Sequence, residues 1–124
     1  WFGAQGLDPP QLYVPPAWAM GSLSRDRLAA DAPFDLYELF GGIFDARNHR
    51  WQPTPMLGYE ADNAVRLPVI RAWNALNRRR AGRSGLLRIG IHPFDIGLRA
   101  AGDLEQDLAR CGKVIDYADL LSRS

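Results

Sequence analysis

The segment Leu86-Leu87-Arg88-Ile89-Gly90-Ile91-His92-Pro93-Phe94-Asp95 constrains the fold of this chain more than any other. A glycine-rich turn (Gly82, Ser84, Gly85) precedes it, and Pro93 stops it, because proline lacks the amide hydrogen that a strand ladder needs. Between those limits the pattern predicts a buried β-strand that ends in a histidine. Side chains alternate across a strand, so Leu87, Ile89 and Ile91 share an apolar face, and Arg88, Gly90 and His92 share a polar one. A strand of this kind is common where strand ends build an active site, as at the C-terminal rim of a β/α barrel.

The rest of the chain alternates strand and helix signals. Gln11 to Val14 reads as a short strand stopped by Pro15-Pro16. Ser22 and Ser24 offer caps for a helix from Arg25 to Ala30. An extended stretch from Phe34 to Asp45 is broken at Gly41-Gly42, turns at Ala46 to His49 and returns over Arg50 to Tyr59. Pro53 and Pro55 confine the returning strand to a sheet edge. Pro68 suits the first turn of a helix with Val69, Ile70, Trp73 and Leu76 as its apolar stripe, ended by Gly82. Asp103 and Gln106 resemble a capping box for a helix that buries Leu104 and Leu108 and closes at Gly112. Val114 to Tyr117 is expected to form a last strand, and Ala118 to Leu121 a terminal turn. This order is α/β in character.

At 124 residues the chain is expected to be a single domain, 1–124. A net charge of +1 gives no electrostatic case for nucleic acid or a membrane surface as partner. The basic residues are arginines apart from Lys113, and their spread along the chain reads as genomic base composition. One cysteine, Cys111, excludes an intrachain disulfide framework and a cysteine-based zinc cluster; its helical pattern predicts a small core residue. No run approaches the ~18 apolar residues of a membrane span, and no signal peptide is evident. The abrupt opening at Trp1-Phe2, without an initiator methionine, reads like the interior of a longer protein.

His92 is the strongest candidate for chemistry, because imidazole exchanges protons near neutral pH. A core histidine bonded to a backbone carbonyl is the competing reading. Asp95, three residues on, is placed to orient the ring or to cap the next segment. Pro16, Ala17 and Trp18 form the second candidate. Two prolines fix the chain direction there, and the amides of Ala17 and Trp18 are candidate oxyanion donors; a proline-rich loop packed under Trp18 is the alternative. The Arg78, Arg79, Arg80 and Arg83 cluster reads as a solvated helix end rather than a phosphate site. His49 belongs to a polar turn and is expected to be exposed. The two histidines are far apart and lack acidic partners at a metal spacing, so no metal site is expected within the chain.

Val14-Pro15-Pro16-Ala17-Trp18 and Ile91-His92-Pro93-Phe94-Asp95, taken in order, resemble two motifs of the polysaccharide deacetylase (NodB-homology) family. The likeness is to a less characterised branch of it. The intervening hairpin, the arginine-rich helix and the closing Val114 to Leu121 segment fit the same order. Val14 stands where the classical motif has arginine. The resemblance implies the C-terminal half of a distorted (β/α) barrel, the later part of a larger deacetylase-like domain. It implies removal of acetyl or other acyl groups from N-acylated sugars with a divalent metal, zinc foremost. The metal ligands of that family, an aspartate pair and a His-x-x-x-His segment, belong to a half not present here. His92 then corresponds to the general acid toward the leaving amine, and the Ala17–Trp18 region to the oxyanion donor. The implied partners are an N-acetylated carbohydrate and either the missing half or another copy of the chain. The implied setting is a bacterial cytoplasm or periplasm. A non-catalytic α/β module that binds carbohydrate or protein is the alternative.

Overall fold

The computed structural model describes residues 2–8, 10–31 and 33–122, so Trp1 lies outside the described residues. Two compact units divide the chain, 1–53 and 54–124.

The first unit is a β-α-β unit extended by two hairpins. Strand β1 (Leu12–Tyr13) leads through helix α1 (Arg25–Asp31) to β2 (Leu36–Leu39), which lies parallel to β1. Ser24 caps α1, its Oγ accepting the Arg27 amide at 3.3 Å. Strands β3 (Gly42–Asp45) and β4 (Arg50–Pro53) then add in antiparallel order, giving a mixed sheet β1-β2-β3-β4. The β2–β3 turn tolerates no side chain on its inner side. A Cβ at Gly42 would run into the Gln52 carbonyl and the Trp51 ring. The β3–β4 turn is held by Asp45, which accepts the Asn48 backbone amide at 3.0 Å and its side-chain amide at 2.8 Å. His49 takes a positive φ of 51° there and reaches Asp26 at 2.8 Å. Leu28, Tyr37 and Phe44 form the core, flanked by Tyr13, Met20, Phe34 and Trp51.

The second unit repeats the β-α-β plan. Strand β5 (Met56–Leu57) leads through the long helix α2 (Arg66–Ser84) to β6 (Arg88–Ile89), parallel to β5 in a separate two-stranded sheet. Helix α3 (Ala101–Ala109) and helix α4 (Tyr117–Ser122) follow. Leu57, Tyr59, Ala61, Ala100 and Leu104 make the core. The Asn63 side chain starts α2 by accepting the amides of Val65 and Arg66. Gly85, at φ +70°, ends it, three residues beyond the expected stop at Gly82.

The barrel expectation is overturned: among the described residues the strands form one open mixed sheet and one two-stranded sheet, with no closed or curled barrel. Two local causes are visible. A β/α barrel needs a helical crossover after each strand, whereas the turns joining β2 to β3 and β3 to β4 are too short for anything but antiparallel return. Strand β5, moreover, offers no free second edge. Leu57 accepts the Gly90 amide from the β6 side. Met56 carbonyl oxygen instead accepts Trp73 Nε1–H at 3.2 Å and Asn77 Nδ2–H at 3.0 Å. Asn74 pairs with Gly58 as a peptide group would, donating Nδ2–H to its carbonyl at 2.8 Å and accepting its amide at 3.2 Å.

Several smaller expectations also change. In α2 the buried positions are Asn74 and Asn77, while Val69, Trp73 and Leu76 are exposed, because the helix face turned inward serves strand backbone. The extended segment before His92 is short, and of its expected apolar face only Ile89 packs against the core. Leu87 and Ile91 are exposed, whereas Arg88 is buried with Nε–H and Nη2–H donated to the Thr54 carbonyl. Asp103 caps nothing; it pairs with Arg71 at 2.7 Å. Leu108 is exposed, α3 stops at Ala109, and Cys111 is exposed beyond it. Residues 111–116 form no strand, and Tyr117–Ser122 is helical. No helix among the described residues is long and apolar enough to cross a membrane.

Candidate functional site

The parallel register of the second sheet builds the candidate site. Met56 pairs with Arg88 and Leu57 with Ile89, an offset of 32 residues. Continued past both strand ends, that offset brings Glu60 beside His92. The structure places His92 Nδ1 3.1 Å from Glu60 Oε1, with both side chains about half exposed. The carboxylate lies within ion-pair distance of Nδ1 when the ring is protonated.

Asp95 supports this turn from beneath. It is fully buried, and its Oδ2 accepts the His92 backbone amide at 2.8 Å. The Asp95 amide in turn donates to the His92 carbonyl at 3.0 Å. These reciprocal bonds lock residues 92 to 95. Asp95 Oδ2 lies 3.7 Å from Nδ1, too far for a hydrogen bond but close enough to add negative potential beside the ring. Its Oδ1 is buried without a hydrogen-bond partner among the described residues. The same turn exposes three apolar side chains, Ile91, Phe94 and Ile96, the last two at 79% each.

Glu60 escaped sequence reading. It lies far from His92 in the chain, and only the β5–β6 pairing brings the two together. The signal was the register itself, which a reader cannot assign without knowing that β5 and β6 are neighbours.

Pro16, Ala17 and Trp18 belong to the first unit. They form a single 3₁₀ turn with Ala17 and Trp18 both at φ +52°, a left-handed conformation costly for residues with a Cβ. The Trp18 amide donates to the Pro15 carbonyl at 2.9 Å, so of the two expected oxyanion donors it is already engaged. Trp18 is anchored further by Nε1–H donated to Glu38 and by its carbonyl, which accepts the Phe40 amide.

The metal dependence that the resemblance implies finds no support in this chain. Among the described residues no three His, Cys, Asp or Glu groups come together as a ligand set. His49 is engaged by Asp26 and His92 by Glu60. The described residues therefore assemble no ligand set of their own. Of the arginine cluster, Arg78 turns inward to Asp107, while Arg79, Arg80 and Arg83 are exposed. No model of a known protein family, no curated protein and no solved structure matches this chain.

Proposed function

We propose that this chain carries the proton-donating part of an amide hydrolase that removes acyl groups, acetyl the simplest, from N-acylated sugars. The observation that supports this reading is the 3.1 Å approach of His92 Nδ1 to Glu60. Protonated, the ring gives its Nε2 hydrogen to the departing nitrogen. An amine leaves poorly without such a donor. Asp95 holds the His92 backbone so that the ring does not swing away. Groups that activate the attacking water are not among the described residues. In this reading they come from a further segment or a second chain, in a bacterial cytoplasm or periplasm.

A second reading has its own observation. Phe94 and Ile96 stand out from the same rigid turn, a surface suited to stacking on a sugar ring or to a protein partner without turnover. Oligosaccharides of N-acetylglucosamine, offered to this chain together with the segment or second chain that activates water, separate the two. Acetate release that falls roughly 10²–10⁴-fold in His92→Ala, with binding by calorimetry unchanged, is expected of the hydrolase. Binding without acetate release, lost in Phe94→Ala and untouched in His92→Ala, is expected of the module. Neither binding nor release removes both.

A further inference from the structure

The first unit contains a cleft of about 410 Å³, inside the roughly 300–1,000 Å³ range of small-molecule sites. Its walls are mostly carbon, formed by Tyr13, Met20, Leu23, Leu28, Phe34 and Tyr37, with Arg27 and Asp31 at the rim. Tyr13 and Phe34 stack with centroids 5.0 Å apart and planes 12° from parallel, and Tyr37 meets both edge-on. This is a rigid aromatic wall, because each ring is held by the other two.

Within that wall one polar atom is unaccounted for. Tyr37 is 1% exposed, and its hydroxyl has no hydrogen-bond partner among the described residues. Burial pushes the phenol above its ordinary range, so it remains a protonated donor at working pH. The Phe34 backbone amide acts in the opposite sense without reaching hydrogen-bond geometry. An N–H, in any case, cannot accept the phenol hydrogen. Buried donors in native proteins are almost always satisfied, so an unsatisfied one lining a cleft calls for an acceptor from outside the chain. Phenylalanine would fill the same space without that penalty.

We propose that this cleft binds a neutral planar ring bearing a carbonyl or similar acceptor, which accepts a hydrogen bond from Tyr37. The ring class follows from the aromatic walls. Neutrality follows from the rim, where Arg27 Nε lies 3.1 Å from Asp31 and the two charges offset each other. The hydroxyl is closed to water in the free chain, so in this proposal a wall side chain moves aside on binding; Met20, the flexible thioether of the lining, is suited to that. This site is independent of the His92 turn, and its occupancy does not depend on any sugar chemistry.

The test uses the full chain with 2-naphthamide, which has the ring and the neutral acceptor, and 2-naphthoate, which has the ring and a charge. Calorimetry should show saturable one-to-one binding of 2-naphthamide and weaker binding of 2-naphthoate. Tyr37→Phe should weaken 2-naphthamide roughly three- to tenfold, the worth of one neutral hydrogen bond, while its unliganded melting temperature is unchanged or raised. Leu23→Trp, at a half-exposed position of the cleft, should fill the space and abolish binding in a chain whose circular dichroism is unaltered. Four results would each overturn the proposal: no binding of 2-naphthamide, equal or tighter 2-naphthoate, affinity unaffected by either substitution, or a lowered melting temperature in Tyr37→Phe. The last would mean that the hydroxyl already has a partner in the protein.

Discussion

Replacing Asp107 by asparagine should remove much of the stability of the second unit. Asp107 is 5% exposed, on α3. It accepts the Tyr59 hydroxyl at 2.8 Å and a two-pronged contact from Arg78, with Nε–H donated at 2.8 Å. One carboxylate thus ties α3 to α2 and to the segment after β5. Asparagine keeps the shape but has a single acceptor oxygen, and its NH₂ confronts whichever donor that oxygen does not serve. A charge-assisted hydrogen bond contributes ~1.5–3 kcal/mol, and a buried hydroxyl left unpaired costs ~1–3 kcal/mol. The Arg78 side chain is 35% exposed, so water replaces part of what it loses. The net expectation is a loss of about 2–4 kcal/mol near neutral pH.

The pH dependence gives this prediction a second handle. Burial pushes the Asp107 carboxyl up, but hydrogen bonds from Arg78 and Tyr59 outweigh it and hold the carboxyl below its ordinary value. A carboxylate depressed in the folded state contributes stability above its unfolded pKa, about 4, and loses it as pH falls through the folded value. Urea denaturation of wild type and Asp107→Asn should therefore show its largest gap near neutral pH, narrowing as pH drops below about 4. A gap under ~0.5 kcal/mol at neutral pH, or one that stays constant into acid, would refute the hub role.

Two further substitutions probe the first unit. Gly42→Ala places a methyl against the Gln52 carbonyl, backbone that cannot swing aside, and should lower stability by roughly 2–4 kcal/mol; an unchanged melting temperature would show that the β3–β4 pair opens there. Ala17→Gly should raise stability by about 0.5 kcal/mol, since relief of left-handed strain exceeds the added unfolded-state entropy, and a lower denaturation midpoint would count against strain at that turn.

What could be read from the sequence followed local chemistry. Proline after Tyr13, serine before Arg25 and the polar turn at 46–49 act within a few residues, and β1, α1 and the β3–β4 hairpin form where those signals fall. Proline also marks β4 as an edge strand of its sheet, but the returning strand expected to reach Tyr59 stops at Pro53, and Met56–Leu57 joins the other sheet as β5. The failures lie where a distant backbone group sets the requirement. Apolar periodicity turns Val69, Trp73 and Leu76 inward, but the carbonyls of Met56 and Gly58 need donors, and Asn74 and Asn77 supply them. Alternation likewise turns Leu87 and Ile91 inward, but the Thr54 carbonyl draws Arg88 there instead. His92 and Asp95 were legible as a pair because they share one turn. Their third member, Glu60, was not, since only the register of two short parallel strands makes it their neighbour.

The side-chain closure of β5 also bears on how this protein aggregates. The outer edge of that strand is covered by amide groups from a helix and not by another backbone, so the cover is only as permanent as α2 itself. Fraying of the helix around Trp73 to Asn77 would bare the Met56 carbonyl and both polar groups of Gly58 at once. A bare edge recruits the nearest extended segment, including one from another molecule. Helix content in α2 and resistance to intermolecular strand pairing are thereby coupled. Conditions that loosen the helix without unfolding the core are the ones under which copies of this chain would begin to join.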